Sequence, residues 1–115
     1  MQYKELYRAD LNEVNLRGYV CKPIVCRDTP FGRKVADVMV AVNQPDGKNG
    51  KSYYIPSIVW GKIAVRAANI SVGTEVTLSG RFQSREYEKV LPDGTYKKRI
   101  TYEISAWNFC VYVEE

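Results

Sequence analysis

The sequence predicts an all-β domain: a small five-stranded Greek-key barrel carrying one short helix between its third and fourth strands. Three observations carry that expectation. Strand-like segments alternate apolar and polar side chains with period two, as in Val14, Leu16, Gly18 and Val20 or Ala36, Val38, Val40 and Val42. One segment, Lys62–Ile70, instead spaces Ile63, Ala64, Ala67, Ala68 and Ile70 along a helical face. Clusters of Gly, Pro, Asn and Asp punctuate the segments where the chain must turn.

Residues 1–11 are polar with scattered apolar side chains, compatible with a short helix, an edge strand or a loose arm. The domain proper begins at Asn12 and runs to residue 115. In the first strand Asn15, Arg17, Tyr19 and Cys21 oppose the apolar set, and Gly18 marks a bulge or sharp bend. Pro23 interrupts pairing and Ile24-Val25-Cys26 resumes it. Asp28-Thr29-Pro30-Phe31-Gly32 is a turn, and Val35–Asn43 the second strand. Gln44–Ser52, with Pro45-Asp46-Gly47, Asn49-Gly50, Lys48 and Lys51, is a mildly basic hairpin loop. Tyr53–Trp60 is the third strand, with Pro56 arguing for an edge or an interruption. Ser71-Val72-Gly73 closes the helix. Thr74–Val90 and Thr95–Val113 form a long final hairpin about Pro92-Asp93-Gly94, in which proline presets the bend and glycine accepts positive φ. Five strands with a helix between the third and fourth is the order of the OB-fold, a barrel that binds oligonucleotides across one face.

A chain of 115 residues suits one domain with a real core. Seventeen Lys and Arg against thirteen Asp and Glu give a net charge of +4, which leans toward a polyanion partner. No apolar run approaches a membrane span, and the start lacks a signal peptide's apolar core. Cys21, Cys26 and Cys110 are odd in number and have no metal-like spacing, so reduced thiols of a cytoplasmic protein are expected. Histidine is absent, and neither paired motif carboxylates nor a phosphate-cradling glycine loop occurs. A non-enzymatic protein with no metal and no cofactor is the expectation.

The final hairpin carries the functional signal. Val76, Leu78 and Phe82 share one parity and are expected in the core; Thr77, Ser79, Arg81, Gln83, Arg85 and Tyr87 share the other. Lys97, Lys98 and Arg99 follow the turn. Cations interleaved with aromatics suit a single-stranded nucleic acid, whose phosphates need charge and whose bases need π-faces. The plainer alternative is a solvated strand face on which Arg and Tyr favour cross-strand pairing.

Four pieces in order resemble the bacterial single-stranded DNA-binding proteins. Asn12-Glu13-Val14-Asn15-Leu16-Arg17-Gly18 is similar to their opening strand. Thr29-Pro30-Phe31-Gly32 with Val35-Ala36-Asp37 resembles their first turn and second strand. Ile58-Val59-Trp60-Gly61-Lys62 resembles the third strand entering the helix, and Val72-Gly73-Thr74 with Gly80–Tyr87 the start of the fourth. The resemblance implies DNA-binding by base stacking on Trp60, Tyr54 and Tyr87, with Lys62, Arg81 and Arg85 on phosphates. Arg17 and Tyr19, on the outward parity of strand one, are secondary candidates, as is Lys97. It implies work in DNA replication, recombination or repair, association with the nucleoid, and a homotetramer ahead of a dimer. The sequence ends at Val113-Glu114-Glu115, resembling a short member without the family's acidic C-terminal tail, so the expectation is either that the recruiting role is lacking or that replication or repair proteins are met through the barrel. A primosome-like replication adaptor and an RNA-binding OB domain are the competing readings.

Overall fold

The computed structural model describes residues 10–45 and 50–114. Among them the elements run β1 (Val14–Val20), β2 (Val25–Asp28), β3 (Lys34–Asn43), β4 (Ser52–Trp60), α1 (Lys62–Ala67), β5 (Glu75–Val90) and β6 (Tyr96–Val111). The strands form one sheet ordered β1-β5-β6-β4-β3-β2, and β1 also pairs with β3 at Tyr19 and Val20. Neighbours are antiparallel except β4 and β6, which pair in parallel at Ser57–Ile104 and Ile58–Ser105. β1 thus passes from β5 to β3 at Gly18, which faces Val76 on β5. A Cβ on Gly18 would collide with the Ala41 carbonyl and lie 2.8 Å from a Val40 methyl, so this corner requires glycine.

Alternation sets the core. Val20, Ala36, Val38, Val40, Val59, Val76, Leu78 and Ile104 all point inward and are buried. Most are β-branched, which suits a pleated surface packed on itself. α1 covers the core through Ala64 and Ala67, whose small side chains let its backbone approach β3 and β4. Its turn of entry is Gly61 at φ 65°, and no side chain caps it, so packing rather than capping holds this short helix.

Three local readings differ. The predicted first strand splits in two: residues 21–24 about Pro23 leave the sheet, and β2 becomes a sixth strand pairing β3 from Val25–Asp37 to Asp28–Lys34. The helix ends at Ala67 instead of Ile70, because Asn69 and Ile70 donate to Arg66 and Ala67 in the tighter three-residue pattern. Phe82, expected in the core, is 51% exposed. It keeps the inward parity opposite Ile104, but the hairpin has by then run past the barrel, and its ring stacks on Tyr102 at 5.9 Å. Pro56 satisfies the edge requirement locally: it faces Met39 on β3, and β6 joins β4 only from Ser57. Of the loop Gln44–Ser52, residues 46–49 lie outside the described set, as do residues 1–9 of the expected extension.

Candidate nucleic-acid interface

The registers assemble one continuous outer face. On β3 and β4, Val59 opposite Ala36 and Ser57 opposite Val38 face the core, so the alternate pairs face out. Those are Trp60 with Val35, Ile58 with Asp37, Pro56 with Met39 and Tyr54 with Ala41. Tyr54 and Trp60 therefore share the outer face, whereas Tyr53 lies opposite Val42 on the other parity and its hydroxyl accepts from Gln44 Nε2 at 3.2 Å. β2 adds Arg27 beside Val35. The parallel pairing of Ile58 with Ser105 carries the same face onto β6, and β6 hands it to β5.

The hairpin sorts charge by face. Its outer parity pairs Arg81 with Ser105, Gln83 with Glu103, Arg85 with Thr101, Tyr87 with Arg99 and Lys89 with Lys97. Five cations stand there against a single carboxylate, that of Glu103, which is 4% exposed. The opposite parity holds Phe82, Ile100, Tyr102, Tyr96 and Val90, with Glu86, Glu88 and Lys98. The run Lys97-Lys98-Arg99 is consequently split, with Lys97 and Arg99 on the cationic face and Lys98 opposite Glu88 on the other.

At the centre of the outer face Arg27, Thr29, Trp60, Gln83, Arg85 and Glu103 line a recess of 190 Å³. Both arginines are held by carboxylates. Arg27 donates from Nε to Asp37 Oδ2 at 3.0 Å and from a terminal nitrogen to Oδ1 at 3.4 Å. That hydrogen bond raises the Arg27 pKa above its already high ordinary value, so its positive charge is permanent. Arg85 Nε donates to Glu103 at 3.1 and 3.3 Å, and Gln83 Nε2 donates to the same carboxylate at 2.9 Å. The Arg33 guanidinium lies over the Trp60 ring, 4.5 Å from its centroid. A second recess of 180 Å³ adjoins, sharing Ile58 and Glu103 and walled by Val25, Met39 and Pro56. The arrangement offers half-buried and exposed aromatic faces between fixed guanidinium groups, on a surface open to an extended polymer.

The structure brings together Trp60, Tyr54, Tyr87, Arg81, Arg85 and Lys97 on this face, with Trp60 and Arg85 lining one recess. Lys62 opens α1 two residues beyond Trp60 and is exposed, outside the recess. Arg17 and Tyr19 stand apart, opposite Thr77 and Glu75 at the other end of β5, and the Tyr19 hydroxyl donates to Glu75 at 3.3 Å. Residues that sequence reasoning missed include Arg27, Arg33, Gln83 and Glu103, whose roles depend on neighbours far along the chain. Phe31, 93% exposed in the turn that Thr29 and Arg33 close, carried a legible signal as an aromatic in a tight turn. Trp107, 56% exposed, is the extra residue where Ser79 pairs Asn108 but Gly80 pairs Ala106.

Among the described residues no group of three or more His, Cys, Asp or Glu side chains is placed to hold a metal ion. Nor is any of their helices long and apolar enough to cross a membrane.

The fold and sequence both have known counterparts. A single-stranded DNA-binding protein of Clostridium tetani is 38% identical over 100 residues, spanning 84% of this chain and 66% of that protein. Single-stranded DNA-binding protein 3 of Clostridium acetobutylicum is likewise 38% identical over 100 residues, spanning 84% of this chain and 67% of that protein. The crystal structure of the wild-type single-stranded DNA binding protein from Thermus aquaticus superposes with a TM-score of 0.70 at 20% identity, over 91% of this chain and 42% of that one. The chain thus spans about two thirds of these sequence relatives and less than half of the Thermus protein. At 20% identity that superposition establishes the OB-fold alone. Residues 11–111 match the single-strand binding protein family, and the chain belongs to that family.

Proposed function

We propose that this chain binds single-stranded DNA with little regard to sequence, by stacking bases on Trp60, Tyr54 and Tyr87 and neutralising phosphates with Arg81, Arg85 and Lys97. The observation that carries the reading is the sorting of the hairpin, which gathers five cations and Tyr87 on the face continuous with Trp60 and Tyr54. An ordinary solvated hairpin gains nothing from such segregation, since like charges crowded on one face repel. A phosphate backbone supplies the missing counter-charge, and exposed rings supply faces that every base can use. Lys62 extends the cationic track beyond Trp60; Arg17 and Tyr19 are peripheral to it. The protein acts without catalysis, in replication, recombination or repair at the nucleoid, as a homo-oligomer with tetramer ahead of dimer. The exposed outer edge of β2, the last strand of the sheet, supports association.

Titration of tryptophan fluorescence with oligo-dT tests the binding. Because Trp107 also emits, the experiment is run on Trp107→Phe as well as on the wild type. Quenching that persists in Trp107→Phe, fades with salt by roughly 0.7 log units per decade for each phosphate engaged, and is small with duplex DNA is expected. Equal affinity for duplex, or none for either, would sink the reading.

A further inference from the structure

We propose that Glu103 is a positioning residue for the DNA strand: it fixes the Arg85 guanidinium so that the outer edge of its fork meets the ligand. The inference rests on the reading of the outer face given above and deepens it. A carboxylate at the centre of a surface for a polyanion is unfavourable on charge alone, since it repels every phosphate near it. Glu103 is nonetheless there, 4% exposed, beside the recess that Trp60 lines. Its oxygens take up Gln83 Nε2 at 2.9 Å and Arg85 Nε at 3.1 and 3.3 Å. Burial without those donors would cost several kcal/mol, so the carboxylate and the two donors are one unit.

The contact uses the inner side of the Arg85 fork. Arg85 donates to Glu103 from Nε, and among the described residues its two terminal nitrogens make no hydrogen bond, on a side chain that is 48% exposed. An arginine not held in this way must give up rotamer freedom when it binds. Here the ordering is completed on folding, and the remaining donors present a planar pair suited to a phosphate or a base edge. Gln83, the cross-strand partner of Glu103 and two residues before Arg85, donates to Oε2, the oxygen that Arg85 Nε approaches at 3.1 Å, and so helps to hold the carboxylate in place.

The inference makes a prediction opposite in sign to simple electrostatics. Replacing Glu103 by glutamine removes a negative charge from the face, which by charge alone tightens DNA binding. Positioning requires the reverse. Affinity for oligo-dT is measured over a salt series for the wild type, Glu103→Gln, Arg85→Ala, the double variant and Arg85→Lys, with urea unfolding to monitor the fold. Glu103→Gln is expected to weaken binding at least ~3-fold and to lower the salt slope by about 0.7, the loss of one phosphate contact. In the Arg85→Ala background the same change is expected to leave affinity unaltered or improved. Arg85→Lys keeps the charge but has no Nε to clamp, so it should bind as poorly as Arg85→Ala. It alters an exposed side chain and carries the test even where glutamine is tolerated badly in the buried site. Unchanged or tighter binding by Glu103→Gln, an equal loss in both backgrounds, or wild-type binding by Arg85→Lys would each overturn the positioning role while leaving DNA binding intact. A wild-type chain that fails to bind oligo-dT overturns both.

Discussion

The Arg33 guanidinium lies 4.5 Å from the centre of the Trp60 ring, a cation held over the aromatic most central to the outer face. One face of that indole is thereby occupied by the cation. Trp60→Ala is expected to cost ~1–3 kcal/mol of oligo-dT affinity, as loss of a stacked base does. Arg33→Ala should cost less, about 0.5–1 kcal/mol, because the cation is exposed and only orients the ring. Isothermal titration of the two variants checks the ordering. Tighter binding by Arg33→Ala would show that the guanidinium blocks the ring.

Adjacent tyrosines give a test of register. Tyr54, 63% exposed, shares the face of Trp60, whereas Tyr53 points to the other parity and is engaged by Gln44. Tyr54→Ala should weaken oligo-dT binding by ~1 kcal/mol or more, and Tyr53→Ala should leave it within about 0.5 kcal/mol. Reversed effects would mean that β4 is displaced by one residue in solution.

Gly18 is expected to be intolerant of the smallest change. Its Cβ position is taken by the Ala41 carbonyl and crowded by Val40, and backbone cannot move aside as a side chain can. Gly18→Ala should destabilise the fold by ~2–3 kcal/mol in urea denaturation, an overpacking cost without compensation. Ile104→Ala, at 2% exposure, should cost ~2–5 kcal/mol through the cavity it leaves. A loss under 1 kcal/mol at either site, against these ~2–5 kcal/mol scales, would contradict the packing described.

The hairpin tip has its own pH dependence. The Thr95 hydroxyl donates to Asp93 Oδ1 at 2.6 Å and the Thr95 backbone N–H donates to it at 3.0 Å. These bonds favour the ionised carboxylate and lower the Asp93 pKa below the ordinary value of 3.8. A pKa lower in the folded turn than in the open chain means stabilisation that is complete above the ordinary value and lost as pH falls through the folded one. The turn should be intact at about pH 5 and loosen only below about pH 4, which the amide resonances of Gly94 and Thr95 report directly. A midpoint above the ordinary carboxylate value would refute the assignment.

Local order was legible along the chain because it is written in near neighbours. Period-two alternation placed the strands, the Pro92-Asp93-Gly94 turn placed the hairpin, and Gly18 announced a corner, each by rules that operate over a few residues. The outward parity of Arg81, Arg85 and Tyr87 was read in the same way, and so was the pairing of Tyr54 with Trp60 on one face. Other features had no local trace. Pro23 separated a sixth strand whose only reason to exist is β3 beside it. Phe82 obeyed its parity yet lost its cover, because the hairpin outruns the barrel and alternation says nothing about where a sheet stops being packed. Glu103 meets Arg85 across 18 residues of chain, and Arg27 reaches the same recess from β2. Side-chain periodicity follows from backbone geometry within one segment, but which carboxylate clamps which arginine follows from the register between segments. That register is set by the whole packed sheet at once, as are its curvature and the bulge that turns Trp107 outward.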